Sequence, residues 1–265
     1  MHILEKLQRR VMAINTLLCV GLDSDVDKIP ARYHHNQFDF NRHIIELTHE
    51  YVCAFKPNMA FYEARGDKGW HDLALTMDHL RKYYPDIVTI CDAKRGDIGS
   101  TNGGYVKAIF EDMGFDAVTL NPYLGREALI PFLKHADKGC IILCRTSNPG
   151  AGELQDLMVE GGIPLWQMVG VKVRDEWNAN QNCMLVVGAT YPEELRYLRH
   201  IAPDMPFLVP GVGAQGAEVE RTVTAGIRND GGGLIISASR SIIFDDNPAA
   251  AARDLRDEIN RYRTF

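Results

Sequence analysis

The chain has 265 residues, 46% hydrophobic and 24% charged, an ordinary globular balance with enough length to bury a sizeable core. Its net charge of −6, with basic residues scattered rather than clustered, argues against a nucleic-acid or anionic-membrane partner. No unbroken apolar stretch of about 18 residues occurs, so no membrane span is expected. In chain order, residues 1–16, MHILEKLQRRVMAINT, have charges inside an apolar spacing and predict an amphipathic helix rather than a signal peptide. Short apolar runs then recur at 16–23, 51–57, 86–94, 115–122, 139–146, 182–190, 206–213 and 232–239. Most are continuous rather than alternating, which is the pattern of parallel strands covered on both faces.

Helical patterns separate the runs. In GGYVKAIFEDMG, Val106, Ile109, Phe110 and Met113 share one face, Ser100 or Thr101 is positioned to cap the start, and Gly114 to end it. YPEELRYLRHI has Pro192 near the first helical position and a Leu195, Leu198, Ile201 stripe. AEVERTVTAG ends at Gly226, and the last helix opens with Asn247 and Pro248 and closes on arginines. Eight strands alternating with helices predict a (β/α)₈ TIM barrel with an N-terminal helix, a single domain over residues 1–265. A doubly wound open sheet is the alternative. The long connection 147–163 is either a lid or a surface excursion. Cys19, Cys53, Cys91, Cys140, Cys144 and Cys183 form no CxxC pair and read as small buried hydrophobes in a reducing, cytoplasmic setting.

The unusual chemistry lies at strand ends. ICDAKRGDIG (90–99) follows an apolar run with Asp92, Lys94, Arg95 and Asp97. Side chains two apart on a strand share a face, so Asp92 and Lys94 are expected to project together, with Asp97 on the loop beyond. The preceding strand also ends on a cation, Lys56 in CAFKPN. C-terminal strand ends carry the active site in such barrels, yet a structural salt-bridge cluster would look the same. Asp23 ends the first strand, where it could accept from sugar hydroxyls or serve as a turn residue. The Gly-rich turn LVPGVGAQG and Arg240 follow the seventh and eighth strands, the recurring phosphate site of these barrels. Thr146, Ser147 and Asn148 after the fifth strand offer hydrogen-bonding groups, though serine and asparagine are common in turns. Residue chemistry alone thus points to a barrel enzyme acting on a small phosphorylated ligand through an Asp/Lys network.

As an ordered set, GLD, FKPN, DAKRGDIGST, TSNPGA, PGVGAQG and SRSI resemble the motifs of orotidine 5′-monophosphate decarboxylases, from Asp23 to about Arg240. FKPNMAFYE, NPYLGREALIPFL and VVGATYPEEL resemble its longer bacterial subfamily, often called type 2. The resemblance implies a barrel without metal or organic cofactor, working as a cytoplasmic homodimer whose sites are each completed by the neighbour. It implies conversion of orotidine monophosphate (OMP) to UMP and CO2 in de novo pyrimidine synthesis. By motif, Lys56, Asp92 and Lys94 would form a charged network, with Lys94 protonating C6 of the pyrimidine. Asp97 would enter from the partner, with Ile98 and Thr101 beside it. Asp23 would hold the ribose, Ser147 the pyrimidine, and Gln215 and Arg240 the phosphate. Some shorter members carry a tyrosine three residues after that arginine; here the position is Ile243, so that phosphate contact is either absent or supplied elsewhere.

Overall fold

The structure, a computed structural model, describes residues 1–212 and 219–263. Eight strands close into a barrel: β1 (Leu18–Leu22), β2 (Ala54–Pro57), β3 (Val88–Arg95), β4 (Ala117–Leu120), β5 (Gly139–Arg145), β6 (Cys183–Val187), β7 (Phe207–Pro210) and β8 (Leu234–Ala238). Each pairs in parallel with its sequence neighbours, and β1 closes on β8 through Leu18↔Ile236. The open-sheet alternative is thereby excluded. Every predicted apolar run coincides with one of these strands, and only β3 runs past its predicted end, by one residue to Arg95. Their residues are almost all buried, because helices cover the outside and side chains fill the inside.

The N-terminal helix Ile3–Ile14 buries Ile3, Leu7 and Val11. It crosses the N-terminal ends of the strands, where Lys6 pairs with Asp116 at 2.7 Å and Arg10 with Asp86 at 2.5 Å. The helix Pro192–Ile201 has its proline in the first turn, and Asn247 caps Pro248–Arg261 by accepting from the Ala250 amide at 3.1 Å. All six cysteines are free and buried. Among the described residues, no helix is long and apolar enough to cross a membrane.

One expectation needs correction. The helix Gly99–Val106 receives no side-chain cap from Ser100 or Thr101. Its entry is tied instead by Asn102, whose side chain accepts from the Asp97 amide at 3.1 Å and donates to the Asp97 and Ala128 carbonyls. The connection 147–163, expected as either a lid or a surface excursion, carries structure of its own. It holds a short helix, Gly152–Gln155, and a two-stranded hairpin, Met158–Val159 with Ile163–Pro164. It is anchored at its root by Thr146, whose amide donates to Gln155 Oε1 at 2.9 Å, and by Arg145, which pairs with Asp156 at 2.8 Å.

Candidate active site

At the C-terminal mouth of the barrel, β2 and β3 bring two ammonium groups to one carboxylate. Lys56 Nζ lies 3.0 Å from Asp92 Oδ2, and Lys94 Nζ lies 2.7 Å from Asp92 Oδ1. Lys56 and Asp92 are nearly buried (side chains 6% and 11% exposed), while Lys94 is half-exposed at 50%. Burial works against both buried charges, and pairing overrides it. Despite burial, Lys56 and Lys94 hold the Asp92 carboxyl well below the ordinary carboxylate range. Despite burial, Asp92 and then Asp23 hold the Lys56 ammonium above its ordinary value. The buried pair Lys56–Asp92 therefore keeps both its charges at neutral pH.

The backbone beneath them is irregular. Between the pairs Cys91↔Val118 and Arg95↔Leu120, the three residues Asp92–Lys94 stand opposite the single residue Thr119. Lys94 has φ +49°, a left-handed conformation that costs a side-chain-bearing residue roughly 1–2 kcal/mol. Asp92 and Lys94 do meet, as expected, but through a bulge rather than regular alternation. Two residues beyond Lys94, Gly96 passes so close to the end of β4 that a Cβ there would sit 2.5 Å from the Asn121 carbonyl oxygen. The other cation of the motif is structural: Arg95 pairs with Glu63 and lies over the Tyr105 ring.

A cavity of roughly 900 Å³ opens beside the network. Lys56, Asp92, Lys94, Thr119 and Ser147 line it, with an apolar wall that includes Leu143, Val186 and Leu208. Ser147 approaches β6 so closely that a Cβ on Gly188 would meet Ser147 Cβ at 2.8 Å. Asp23 lies just beyond the β1/β2 pair Gly21↔Lys56. Its position is fixed from behind: the preceding carbonyl, of Leu22, accepts from Tyr62 Oη at 2.9 Å, and Gln37 holds the Ser24 carbonyl at 2.7 Å. Asp23 Oδ1 is buried without a hydrogen-bond partner, an acceptor available to a ligand hydroxyl.

Arg240 opens the short helix after β8 and is exposed, with no ion pair among the described residues. Gln215 lies outside the described residues. Asp97 is half-buried, Ile98 and Thr101 are exposed, and none of the three lines the cavity of its own chain. Ile243 is a buried core residue, so it offers nothing to a ligand. Two residues escaped the sequence reading. Thr119 contacts the network directly, and Arg145, buried over the Tyr191 ring, ties Asp156 in the connection after β5 to Glu194 in the helix Pro192–Ile201.

The profile of the orotidine 5′-phosphate decarboxylase / HUMPS family matches residues 16–255. The chain belongs to that family. Relatives within it include the orotidine 5′-phosphate decarboxylases of Cellvibrio japonicus, 47% identical over 98% of each chain, and of Aromatoleum aromaticum, 45% identical over 99% of this chain and all of that one. Among solved structures, Leishmania donovani OMP decarboxylase superposes with a TM-score of 0.89 at 39% identity over 99% of both chains. Leishmania donovani UMP synthase superposes at 0.91 and 40% identity, where this chain spans 57% of the larger protein. The family's fold thus extends from the first strand to the last helix.

Proposed function

We propose that the chain is an orotidine 5′-phosphate decarboxylase, a carboxy-lyase that converts OMP to UMP and CO2 in de novo pyrimidine synthesis. The observation that carries this reading is the network Lys56–Asp92–Lys94, in which two lysines meet one carboxylate at the wall of a single cavity. The bond from C6 of the pyrimidine to its carboxylate breaks heterolytically. CO2 departs and the electron pair stays on C6, where no adjacent carbonyl or cofactor delocalises it. An ammonium beside C6 stabilises that charge and then donates its proton, leaving an amine that solvent reprotonates. Lys94, half-exposed at the cavity, suits both steps. Asp92 would face the departing carboxylate and oppose its charge in the ground state, a strain set against binding energy elsewhere. Lys56 holds Asp92 ionised.

Asp23, with its unpartnered oxygen, would take ribose hydroxyls, and Ser147 the pyrimidine. Gln215 and Arg240 would grip the phosphate, whose binding energy serves closure and desolvation of the site. Asp97, Ile98 and Thr101, like Asp23 and Arg240, do not line the cavity of their own chain; the motif resemblance would place these three across a homodimer interface, where they complete the partner's site. In this reading the whole chain acts as a single domain without metal or organic cofactor. Six free thiols fit a cytoplasmic setting. Turnover decides: UMP and CO2 formed from OMP support the enzyme, whereas tight nucleotide binding without turnover makes this a binding protein.

A further inference from the structure

We propose that Thr119 is a positioning residue for the decarboxylation, one hydroxyl that orients Asp92 and holds the strained backbone of Lys94; this rests on the decarboxylase reading above. Thr119 is buried on β4. Its Oγ1 accepts from the Ala93 amide at 3.0 Å and from the Lys94 amide at 2.9 Å, and lies 2.9 Å from Asp92 Oδ1. A hydroxyl has two acceptor sites and one proton. Both acceptor sites are filled by backbone N–H groups, which can only donate. The single proton therefore points at Asp92 Oδ1, and that oxygen must be an unprotonated acceptor.

The arrangement follows from the bulge. With three residues opposite one, the amides of Ala93 and Lys94 leave the β3–β4 ladder. Buried amides need partners. A β-branched hydroxyl residue at the facing position supplies them from a side chain with few rotamers. The same oxygen then fixes two things that chemistry needs: the left-handed turn that sets where Lys94 leaves the strand, and the orientation of the carboxylate that receives Lys94 Nζ on the same oxygen. Thr119 touches no reacting atom in this scheme; it acts through Asp92 and Lys94.

The test uses the full chain with OMP as substrate and UMP as the binding probe. Thr119→Val keeps the branched shape and removes the hydroxyl. It is expected to lower kcat at least thirtyfold while the UMP dissociation constant stays within threefold. Thr119→Ser is expected to remain within threefold of the unmodified enzyme on both measures. The acid limb of the kcat/KM profile should also move to higher pH in Thr119→Val, because the carboxylate loses a donor that favours its charged form. Retention of more than a third of kcat in Thr119→Val overturns the proposal. So does a serine variant that falls as far as the valine one, or UMP binding that weakens in step with kcat. If Thr119→Val does not fold, Thr119→Ala read against Thr119→Ser isolates the hydroxyl under the same thresholds. Failure of all three to fold assigns Thr119 a structural role and also overturns the proposal. Inactivity of the unmodified enzyme is a different result and sinks the decarboxylase reading itself.

Discussion

Lys56 and Lys94 touch the same carboxylate, and their removal should have opposite consequences. Lys56 Nζ and Asp92 Oδ2 are 3.0 Å apart and nearly buried. At an effective dielectric near 20, unit charges at that distance attract by about 5–6 kcal/mol. Desolvation of the two ions costs several kcal/mol each, so the intact pair contributes little net stability. Removing one member leaves the other buried without its partner, which costs about 3–5 kcal/mol. Lys56→Met should sit near the lower end, about 3 kcal/mol, since Lys94 and Thr119 still serve Asp92. For a chain of this size that lowers Tm by about 6–12 °C. Asp92→Asn strands the Lys56 ammonium and should cost a similar amount. The double variant removes both charges, so its loss should fall short of the sum by at least about 2 kcal/mol. Lys94 is half-exposed, and solvent screening reduces its shorter contact to about 1 kcal/mol or less. The assay is urea or thermal unfolding of the two single variants, the double variant and Lys94→Ala. The sign of the pH dependence follows from the shifts. The Asp92 carboxyl lies below its unfolded value, so its contribution is present above about pH 4 and is lost as pH falls through the folded value. The Lys56 ammonium lies above its unfolded value, so its contribution is present below about pH 10 and is lost only as pH rises through the folded value. The gap between wild type and Lys56→Met should therefore be flat from about pH 5 to 10 and narrow on acidification. A coupling under about 0.5 kcal/mol, or a Lys94→Ala variant as unstable as Lys56→Met, would refute the reasoning.

Lys94→Ala should abolish turnover while UMP still binds within a modest factor; more than about a hundredth of the wild-type kcat, a barrier change under about 2.7 kcal/mol, would exclude Lys94 as the proton donor. Arg240→Ala should impair kcat/KM strongly for OMP but little for orotidine, which lacks the phosphate; equal losses on both would make Arg240 structural. Extensive dialysis against EDTA should leave turnover unchanged, and loss restored by a divalent ion would refute cofactor independence. Mixing Lys94→Ala with Asp97→Ala should restore activity by forming heterodimers with one intact site; no recovery despite demonstrated subunit exchange would assign Asp97 to its own chain.

The barrel was legible because parallel strands need apolar residues on both faces, and each of the eight runs shows them. The charged network was legible for a related reason: Lys56, Asp92 and Lys94 follow directly from segments built for burial. What the sequence could not show was the geometry that joins them. Regular alternation explains the meeting of Asp92 and Lys94 well enough on paper, yet the strand is bulged there, and bulges depend on how a neighbouring strand pairs. Thr119 was hidden because a β-branched residue in a strand is ordinary. Its three partners come from β3, more than twenty residues earlier. Arg145 was hidden likewise, since Asp156 comes from the connection after β5 and Glu194 from the helix Pro192–Ile201. Arg95 stands among the motif's charges, yet it pairs with Glu63, from the short helix Met59–Glu63 that follows β2.

The bulge also explains why one carboxylate is served by two unequal lysines. Lys56 projects from a regular strand and ends up buried, where Asp92 and Asp23 hold its proton more tightly than water would. A group so held is a poor donor, because giving up its proton would leave Asp92 charged beside a neutral amine in a buried place. Lys94 leaves the strand where the ladder breaks, and its ammonium emerges half in solvent while still touching Asp92. In the proposed scheme that position would let it take a proton back from water after each turnover, which the buried Lys56 could not readily do. The left-handed backbone at Lys94 is costly for stability, and the buried Thr119 hydroxyl that stabilises it costs further polar burial. Both costs fall at the one point on β3 where regular strand geometry would have buried the proposed donor.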